Sequence, residues 1–365
     1  MTEIFGAGLD IGTMNICAMR DDGKGDFVNA QLRDCFRSLP YVEEFEDQLK
    51  QQKSHYIRDG NTLYVIGDEA YMQAGMAEFG TGADCLQRPM RDGILNPDAP
   101  KVSLMILREL MRACIENKVG IAREGEILYF SVPANPVDSQ INNVFHAKMC
   151  GQFLSGLGYD ARPLGESLAV IFSEGPKMHT PDGDIPFTGL SASFGAGMVN
   201  VCLAERGMPL DEFSIAKSGD WIDANTSKMV GEPKTSVLRT KEKKLNFNKL
   251  DESDPIILAL DCYYDEMLRY VFGLFAQRFS NHKGSIEHPI DFVVSGGTAC
   301  VPGFDKKIKS VLAKMDLPFE IAEVKLAGGG DKTKMLQAVA RGLYLRAKQA
   351  AKKMANAKDI IEKAS

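Results

Sequence analysis

A carboxylate and a glycine meet at the turn of a short apolar hairpin near the start of the chain. The stretch GLDIGTMNICAMRDDG (residues 8–23) predicts a strand, a tight turn and a returning strand. Asp10 ends the first strand, and Gly12 and Thr13 follow in the turn. A glycine turn lets backbone N–H groups cradle an anion, and a carboxylate beside it can hold the hydrated Mg²⁺ of a nucleotide. The alternative interpretation is an ordinary hairpin with a solvated aspartate.

A second hairpin of the same kind follows about 185 residues later. GLSASFGAGMVNVCLAERG (residues 189–207) again predicts a strand, a glycine turn and a strand, but Ser193 occupies the place of Asp10. Two glycine hairpins could clamp a polyphosphate from both sides, whereas the alternative is a glycine-rich bend at a barrel-like corner. Each hairpin opens a half of the chain that later supplies helices, so the repeat favours two related α/β lobes.

A third glycine turn follows a buried strand near the end of the chain. In VVSGGTACVPGF (residues 293–304), Gly296 and Gly297 would let the backbone lie flat against a planar ring or a ribose. Paired glycines also occur in many ordinary strand-to-helix turns. Other signatures are absent from the sequence: it contains no GxxxxGK[ST] P-loop, no GxGxxG dinucleotide fingerprint and no GxSxG elbow.

The elements around these turns alternate between strand and helix. KVSLMILRELMRACIENKVG (residues 101–120) has helical apolar spacing, EILYFSVPAN (residues 126–135) predicts a buried strand, and residues 220–282 are mostly helical in pattern. The C-terminal segment is amphipathic and carries a seam of mostly small apolar residues. The seam consists of Leu343, Ala347, Ala350, Met354, Ala357, Ile361 and Ala364.

Composition narrows the class of protein. A chain of 365 residues with 44% hydrophobic and 25% charged residues predicts a globular protein of two lobes. A net charge of −6 argues against a nucleic-acid partner. The eight cysteines are single and mostly in apolar runs, and the five histidines have no metal-ligand spacing. With no signal-peptide pattern and no apolar stretch of eighteen residues, we expect a cytoplasmic protein without a transmembrane segment.

Seven segments, in order, resemble the motifs of one family. They are LDIGT (9–13), RPMRDGILNPD (88–98), SVPANPVDSQINN (131–143), GESLAVIF (165–172), SGDWID (218–223), TKEKKLNF (240–247) and VVSGGTACVPGF (293–304). By these matches the chain is similar to the actin-like ATPases of the actin/Hsp70/sugar-kinase superfamily, and the resemblance runs from residue 8 to about 345. The similarity is closest to bacterial actins of the MreB and MamK type.

The resemblance implies an α/β, two-lobe actin-like (ribonuclease H-like) fold. Each lobe would be a mixed sheet with flanking helices and a smaller inserted subdomain, and the nucleotide would bind in the interlobe cleft. The first lobe is expected over residues 1–150, with an inserted subdomain at about 31–85, and the second over 151–335, with one at about 220–275. Residues 336–365 would be a C-terminal helix that returns to the first lobe and ends in a basic tail.

The resemblance also implies a site for ATP or ADP with Mg²⁺. Gln140 would position the attacking water, with Asp138 as the second candidate, and Asp10 would be the metal-facing acid. Glu166 matches the acid of the connecting helix. The residues expected to contact the nucleotide are Asp10, Gly12, Thr13, Met14, Asn15, Ser193, Gly195, Ala196, Gly197, Met198, Lys241, Glu242, Gly296, Gly297 and Thr298. Lys241, Glu242 and the turn at 296–298 would hold the nucleoside.

The second hairpin departs from the family pattern. Ser193 replaces the usual aspartate, Met198 the usual threonine, and Asn200 a further acidic residue. A serine cannot orient hydrated Mg²⁺ as a carboxylate does, and losing one well-placed electrostatic group commonly costs roughly 10²–10³ in rate. We therefore expect nucleotide binding with slow or absent hydrolysis.

The expected function is that of an actin-like cytoskeletal protein, a weak ATPase that assembles into nucleotide-dependent filaments with itself as the main partner. A cargo or adaptor protein is a further expected partner. One alternative is a non-polymerising nucleotide-binding adaptor or regulator of the same fold. A small-metabolite kinase is a weaker alternative, because the sequence offers no clear catalytic acid or acceptor-binding insertion.

Overall fold

A computed structural model describes residues 5–81, 86–175, 177–180, 183–282, 284, 286 and 288–364. The strands are β1 (Gly6–Ile11), β2 (Asn15–Asp21), β3 (Phe27–Arg33), β4 (Phe36–Pro40), β5 (Tyr56–Asp59), β6 (Thr62–Ile66), β7 (Met90–Arg91), β8 (Ile94–Leu95), β9 (Ile127–Val132), β10 (Asp160–Gly165), β11 (Lys177–Thr180), β12 (Gly183–Pro186), β13 (Gly189–Phe194), β14 (Val199–Glu205), β15 (Met208–Ile215), β16 (Ile290–Ser295) and β17 (Ile321–Leu326). The α-helices are α1 (Glu43–Gln51), α2 (Asp68–Thr81), α3 (Pro100–Ile115), α4 (Val144–Gly156), α5 (Glu166–Glu174), α6 (Gly219–Val230), α7 (Lys234–Lys243), α8 (Pro255–Phe279), α9 (Phe304–Leu312), α10 (Lys332–Leu336) and α11 (Ala338–Ala364).

Contacts divide the chain into two units. The first unit comprises Met1–Phe130, Val144–Pro163 and Leu343–Ser365, and the second comprises Ser131–Asn143 and Leu164–Gly342. Each is built around a five-stranded mixed sheet with flanking helices. The predicted α/β class is therefore confirmed, and with it the expectation of mixed sheets.

The first five-stranded sheet has the order β10-β9-β1-β2-β3. β1 pairs with β2 in antiparallel and with β9 in parallel. Helix α3 packs on β1, β2 and β3 through its buried apolar face, as its spacing predicts. After β3 the chain forms a separate three-stranded sheet, β4-β6-β5, with its own small core around Leu49 and Val65.

The second five-stranded sheet has the order β15-β14-β13-β16-β17 and repeats the pairing of the first. β13 pairs with β14 in antiparallel and with β16 in parallel. The predicted helical region is confirmed as α6, α7 and α8. Helix α8 begins at an Asp254 N-cap, whose carboxylate accepts from the N–H groups of Ile256 and Ile257, and its phenylalanines stack under the sheet against Phe213 and Phe292.

In the first unit, a buried carboxylate at the last residue of β2 binds helix α11. Asp21 Oδ1 accepts hydrogen bonds from Tyr344 Oη (2.9 Å) and Lys348 Nζ (2.8 Å). The predicted seam of small residues is buried as far as Ala350. Beyond it Met354 and Ala357 are exposed, because the helix continues past the surface it packs on. Ile361 and Ala364 lie outside the side chains that the structure describes.

The described helices differ from membrane-spanning helices in their combination of length and composition. None of them combines the length and the apolar composition needed to cross a membrane.

Candidate functional site

The first predicted hairpin is confirmed, and its turn is tight. β1 and β2 pair directly, and the N–H of Gly12 donates to the carbonyl oxygen of Asn15 at 3.1 Å. A Cβ at Gly12 would lie 2.7 Å from that same oxygen, which is closer than real Cβ atoms come to a backbone oxygen. Only glycine fits here, because the backbone itself fills the space of a side chain.

Two contacts within the first unit support this turn. Thr13 Oγ1 accepts from the N–H of Gly93 at 3.1 Å, and the carbonyl oxygen of Met14 accepts from the N–H of Asp34 at 2.9 Å. Gly93 belongs to the segment RPMRDGILNPD, one of the seven that resemble the family. The segment is thus the support of the hairpin. A hydroxyl that accepts one hydrogen bond can still donate another, so Thr13 keeps a donor.

Beneath this support lie two buried ionisable groups. His146 Nδ1 accepts from the N–H of Leu95 at 3.2 Å, and burial lowers the pKa of His146 to about 4. The imidazole is therefore neutral, with its proton on Nε2. Asp34 is fully buried, neither carboxyl oxygen has a hydrogen-bond partner among the described residues, and burial raises its pKa well above the usual range, opposed by Arg88. Burial thus favours the uncharged form of both groups.

Asp10 is half-buried at the end of β1, directly opposite Cys17 on β2. Burial raises the pKa of the Cys17 thiol well above its usual range, and the charge of Asp10 adds to this effect. Burial likewise raises the pKa of Cys114 to about 12, again with a contribution from Asp10. Burial thus favours the protonated form of both thiols.

The second predicted hairpin is confirmed and has the same turn. The N–H of Gly195 donates to the carbonyl oxygen of Met198 at 2.9 Å, and a Cβ at Gly195 would lie 2.8 Å from that oxygen. Ser193, the counterpart of Asp10, is buried between Asn200 on β14 and Ser295 on β16. Met198 is also buried. The backbone cradle is therefore present twice, and the carboxylate once.

The second turn is tied to two other segments of its unit. The carbonyl oxygen of Gly195 accepts from Thr298 Oγ1 (2.8 Å) and from the N–H of Gly219 (3.2 Å). The carbonyl oxygen of Ala196 accepts from Ser218 Oγ (2.5 Å) and from the N–H of Asp220 (2.8 Å). The start of α6 and the turn after β16 thus meet at this hairpin, and each belongs to one of the seven matched segments.

Gly296 makes this convergence possible. Its φ is +97°, and a Cβ there would lie 2.3 Å from the carbonyl oxygen of Phe194, the last residue of β13. A side chain would meet both the backbone strain of the left-handed region and the neighbouring strand. Gly297, by contrast, would place a Cβ in ordinary contact, 3.5 Å from a methyl group of Leu336.

Lys241 lies in a buried ion pair that the sequence analysis missed. Its Nζ is 2.7 Å from each carboxylate oxygen of Asp223, and both side chains are nearly inaccessible. The pair joins the segment TKEKKLNF to the segment SGDWID. The aspartate at the end of SGDWID was the sequence feature that could have indicated a partner for the lysine. Two of the three N–H donors of the lysine serve this pair. The neighbouring Glu242 is half-buried, and its carbonyl oxygen accepts from Lys332 Nζ at 3.5 Å.

Gln140 and Asp138 lie in the loop between β9 and α4, in the part of the chain assigned to the second unit. Gln140 is exposed. Asp138 is not, and both of its carboxylate oxygens are occupied: Oδ1 accepts from the N–H of Ala216 at 2.8 Å and Oδ2 accepts from Tyr270 Oη at 3.2 Å. Neither partner was singled out from the sequence, because neither lies in a motif.

Within the part of the chain that the structure describes, no three His, Cys, Asp or Glu side chains are grouped so that they could hold a metal ion directly. The donor set instead suits Mg²⁺ that keeps its waters, since such an ion needs one or two carboxylates and the substrate phosphates. Asp10 beside a glycine turn fits that description.

The chain is similar to known proteins in sequence and in fold. The sequence model of the Volactin family matches residues 5–347. A search of curated proteins by sequence finds no match. Among solved structures, a MamK double helical filament has 17% identity and a TM-score of 0.65, covering 94% of this chain and 98% of that one.

Two further structures are similar in fold. MreB 5 of Spiroplasma citri, bound to AMPPNP, has 14% identity and a TM-score of 0.66, covering 98% of this chain and all of that one (100%). The ethanolamine utilization protein EutJ from Carboxydothermus hydrogenoformans has 16% identity and a TM-score of 0.51, with coverages of 94% and 90%. At such identities the likeness shows the fold. The two-lobe actin-like fold expected from the sequence is thereby confirmed, and the chain belongs to the Volactin family.

Proposed function

We propose that this protein binds ATP or ADP together with Mg²⁺. The observation that carries the proposal is the pair of hairpins, each with an N–H···O bond across a turn whose first glycine admits no side chain. Turns of this kind expose successive N–H groups to an anion. The similar MreB 5 structure contains AMPPNP, a nucleotide analogue, which agrees with this assignment.

The residues divide by chemistry. Asp10 would hold hydrated Mg²⁺ through its waters, and the turns at 12–15 and 195–198 would contact phosphates. The turn at 296–298 and the segment at 241–242 would contact the nucleoside. Bound Mg²⁺ supplies neutralisation of the phosphate charge. Gln140 would orient the attacking water through its neutral amide, with Asp138 as the second candidate.

Hydrolysis is proposed to be slow. At the second hairpin the buried Ser193 supplies no charge and the buried Met198 no hydroxyl. With one electrostatic group missing, a rate lower by roughly 10²–10³ than that of a site with two acids is expected. The protein would then be a weak ATPase that converts its bound ATP to ADP slowly.

We further propose that the protein polymerises with itself in a nucleotide-dependent manner. Support comes from the likeness to MamK, whose structure is that of a double helical filament. A nucleotide that favours one conformation of the subunit shifts the population able to assemble. The proposed role is therefore cytoskeletal, and the proposed location is the cytoplasm. The seven described cysteines are all free, which suits a compartment in which thiols stay reduced. Cargo or adaptor proteins would be additional partners.

Sedimentation and negative-stain microscopy with and without Mg²⁺-ATP test this proposal. Filaments that appear with nucleotide, together with saturable binding of a fluorescent ATP analogue, are the expected result. Binding without filaments at any protein concentration would overturn the polymerisation part and leave nucleotide binding intact.

A second candidate function is a non-polymerising nucleotide-binding adaptor or regulator. The observation that favours it is the same loss of charge at Ser193, since a protein that only senses a nucleotide needs no efficient hydrolysis. Monomers that persist in the sedimentation assay while ATP binds would select this function over the filament.

A further inference from the structure

The loop that contains Gln140 is fastened along an edge of the second unit. Ser214 on β15 makes three contacts with it: its N–H donates to Asn135 O (3.0 Å), its hydroxyl donates to Ala134 O (2.8 Å), and its carbonyl accepts from Val137 N (3.0 Å). The loop therefore follows β15 as a short additional strand, with a parallel bridge between Pro136 and Ser214.

A side chain from the second hairpin joins this attachment. The amide oxygen of Asn200, on β14, accepts from the N–H of Ala134 at 3.1 Å, and Asn200 is almost fully buried. Asn200 stands where the family resemblance implies an acidic residue. In this chain the Asn200 side chain accepts a hydrogen bond from the loop.

The attachment ends at Asp138, two residues before Gln140. Asp138 accepts from the N–H of Ala216 through one oxygen and from Tyr270 Oη through the other, as described above. Two residues span about 7 Å at most, so the anchor limits how far the backbone of Gln140 can move. On the other side of Gln140, Asn143 Nδ2 donates to the carbonyl oxygen of Pro133 at 2.6 Å and closes the loop.

Tyr270 is suited to a fixed donor role. Its pKa is raised by burial and by Asp138, so its hydroxyl stays protonated at neutral pH. Its ring lies 4.8 Å from Lys217 Nζ, which also contacts the Trp221 ring and pairs with Glu266. The phenol therefore projects from α8 with both its ring and its hydroxyl engaged.

We propose that the Asp138–Tyr270 pair positions Gln140 for water activation. Asp138 is then a positioning residue, and Tyr270 supports it from a helix outside every matched motif. The inference rests on the proposed function, since it presumes that Gln140 orients the attacking water. A neutral amide catalyses by placement alone, and a displacement of about 1 Å can cost about 10²-fold in rate. The anchor of its loop therefore affects the chemical step.

Single-turnover hydrolysis of Mg²⁺-ATP tests the inference in the full-length chain. Tyr270→Phe keeps the ring beside Lys217 and removes only the donor to Asp138. We expect the hydrolysis rate to fall about tenfold, the scale of one lost hydrogen bond to a charged group, with the Kd for ATP unchanged. Tyr263→Phe is the matched control: this tyrosine lies on the same helix and packs on Trp221, and its rate is expected to stay at the wild-type level.

A double-mutant cycle shows whether the effect passes through Gln140. In the Gln140→Ala background, Tyr270→Phe is expected to change the rate less than twofold. An equal tenfold loss in both backgrounds would overturn the inference. Asp138→Asn provides a rescue test, because its amide can accept from Ala216 N–H and donate to the Tyr270 oxygen. It is expected to restore most of the rate that Asp138→Ala loses, whereas equal losses would make Asp138 itself the catalytic group.

The remaining outcomes separate this inference from the proposed function. ATP binding with no measurable hydrolysis in the wild type would overturn the inference and keep the nucleotide site. Failure to bind ATP at all would overturn both. A thermal unfolding midpoint of Tyr270→Phe within a few degrees of the wild-type value would show that any change in the hydrolysis rate is a local effect.

Discussion

The two glycine hairpins share a backbone and differ in their charge. Both turns carry the same N–H···O bond from a glycine to the third residue after it, at 3.1 Å and 2.9 Å. Asp10 is half-buried at the first turn, whereas its counterpart Ser193 is buried and neutral. The fold thus requires the turn in both places, and only the chemistry of a ligand would require the acid. A duplicated element can therefore lose its charge without losing its shape.

The hairpins also differ in how they are held. The first turn uses one side-chain bond, from Gly93 N–H to Thr13, and one backbone bond, from Asp34 N–H to Met14. At the second turn, the carbonyl oxygen of Gly195 accepts from Thr298 and from the N–H of Gly219, and that of Ala196 accepts two hydrogen bonds from the start of α6. Amides held by such a network open slowly. We therefore regard the second hairpin as a fixed structural platform and the first as the more responsive of the two.

The largest difference is expected from removing the charge at each hairpin. Asp10→Asn should weaken binding of Mg²⁺-ATP by about 10²-fold, because it removes a charge-assisted contact worth roughly 1.5–3 kcal/mol. Ser193→Ala removes one neutral hydroxyl and should weaken binding less than about threefold. Titration of a fluorescent ATP analogue at several Mg²⁺ concentrations measures both. Equal losses in the two variants would contradict the asymmetry.

Acid should destabilise the support of the first hairpin through His146. Burial lowers the pKa of this residue from 6.5 to about 4, so the unfolded state binds more protons between these values. The contribution of the neutral imidazole is complete above pH 6.5 and is lost as the pH falls towards 4. Between pH 7.5 and pH 5 the loss in free energy of unfolding should be about 2 kcal/mol.

Urea unfolding of the wild type and of His146→Gln at these two pH values isolates this effect. The glutamine variant does not titrate, so its stability should fall by about 2 kcal/mol less than that of the wild type. Identical pH dependence in the two proteins would show that His146 is not the responsible group.

Restoring the missing acid at the second hairpin should speed hydrolysis. Ser193→Asp places a carboxylate at the position equivalent to Asp10, and phosphate release is expected to rise about tenfold. Because the site is buried, the new charge should lower the unfolding midpoint without nucleotide, and Mg²⁺-ATP should restore it. Ser193→Asn, of similar size and without charge, is the control. Rapid wild-type turnover that Ser193→Asp leaves unchanged would disprove the role of the missing acid.

Much of the fold could be predicted from the sequence because its signals are local. A tight turn depends on Gly12 and its immediate neighbours, and the apolar spacing of α3 identifies the face that it buries. The order of the motifs then indicated the fold. The limit of α11 could not be predicted in this way, since the periodicity of the seam continues past Ala350 while the surface beneath it does not.

The partners within the candidate site were less predictable, since they join distant residues. Lys241 pairs with Asp223, 18 positions away, and Asp138 with Tyr270, 132 positions away. Such contacts depend on how the helices pack against the rest of the unit. The spacing of residues along the sequence does not indicate this packing. Thr13 was expected to face a phosphate, yet its oxygen also accepts from Gly93 N–H, 80 positions further along the chain.

The smallest expected effect compares the two threonines that hold the turns. Thr298→Val removes a donor to the carbonyl oxygen of Gly195, which still accepts from Gly219 N–H, so the loss in unfolding free energy should be about 0.5 kcal/mol. Thr13→Val removes the acceptor of the Gly93 N–H in a buried contact, so the loss should be about 1 kcal/mol. Hydrogen exchange resolves the comparison locally: the Gly93 amide should lose protection in Thr13→Val, while the Gly219 amide stays protected in Thr298→Val. The opposite pattern would mean that the first turn, and not the second, is the more firmly held.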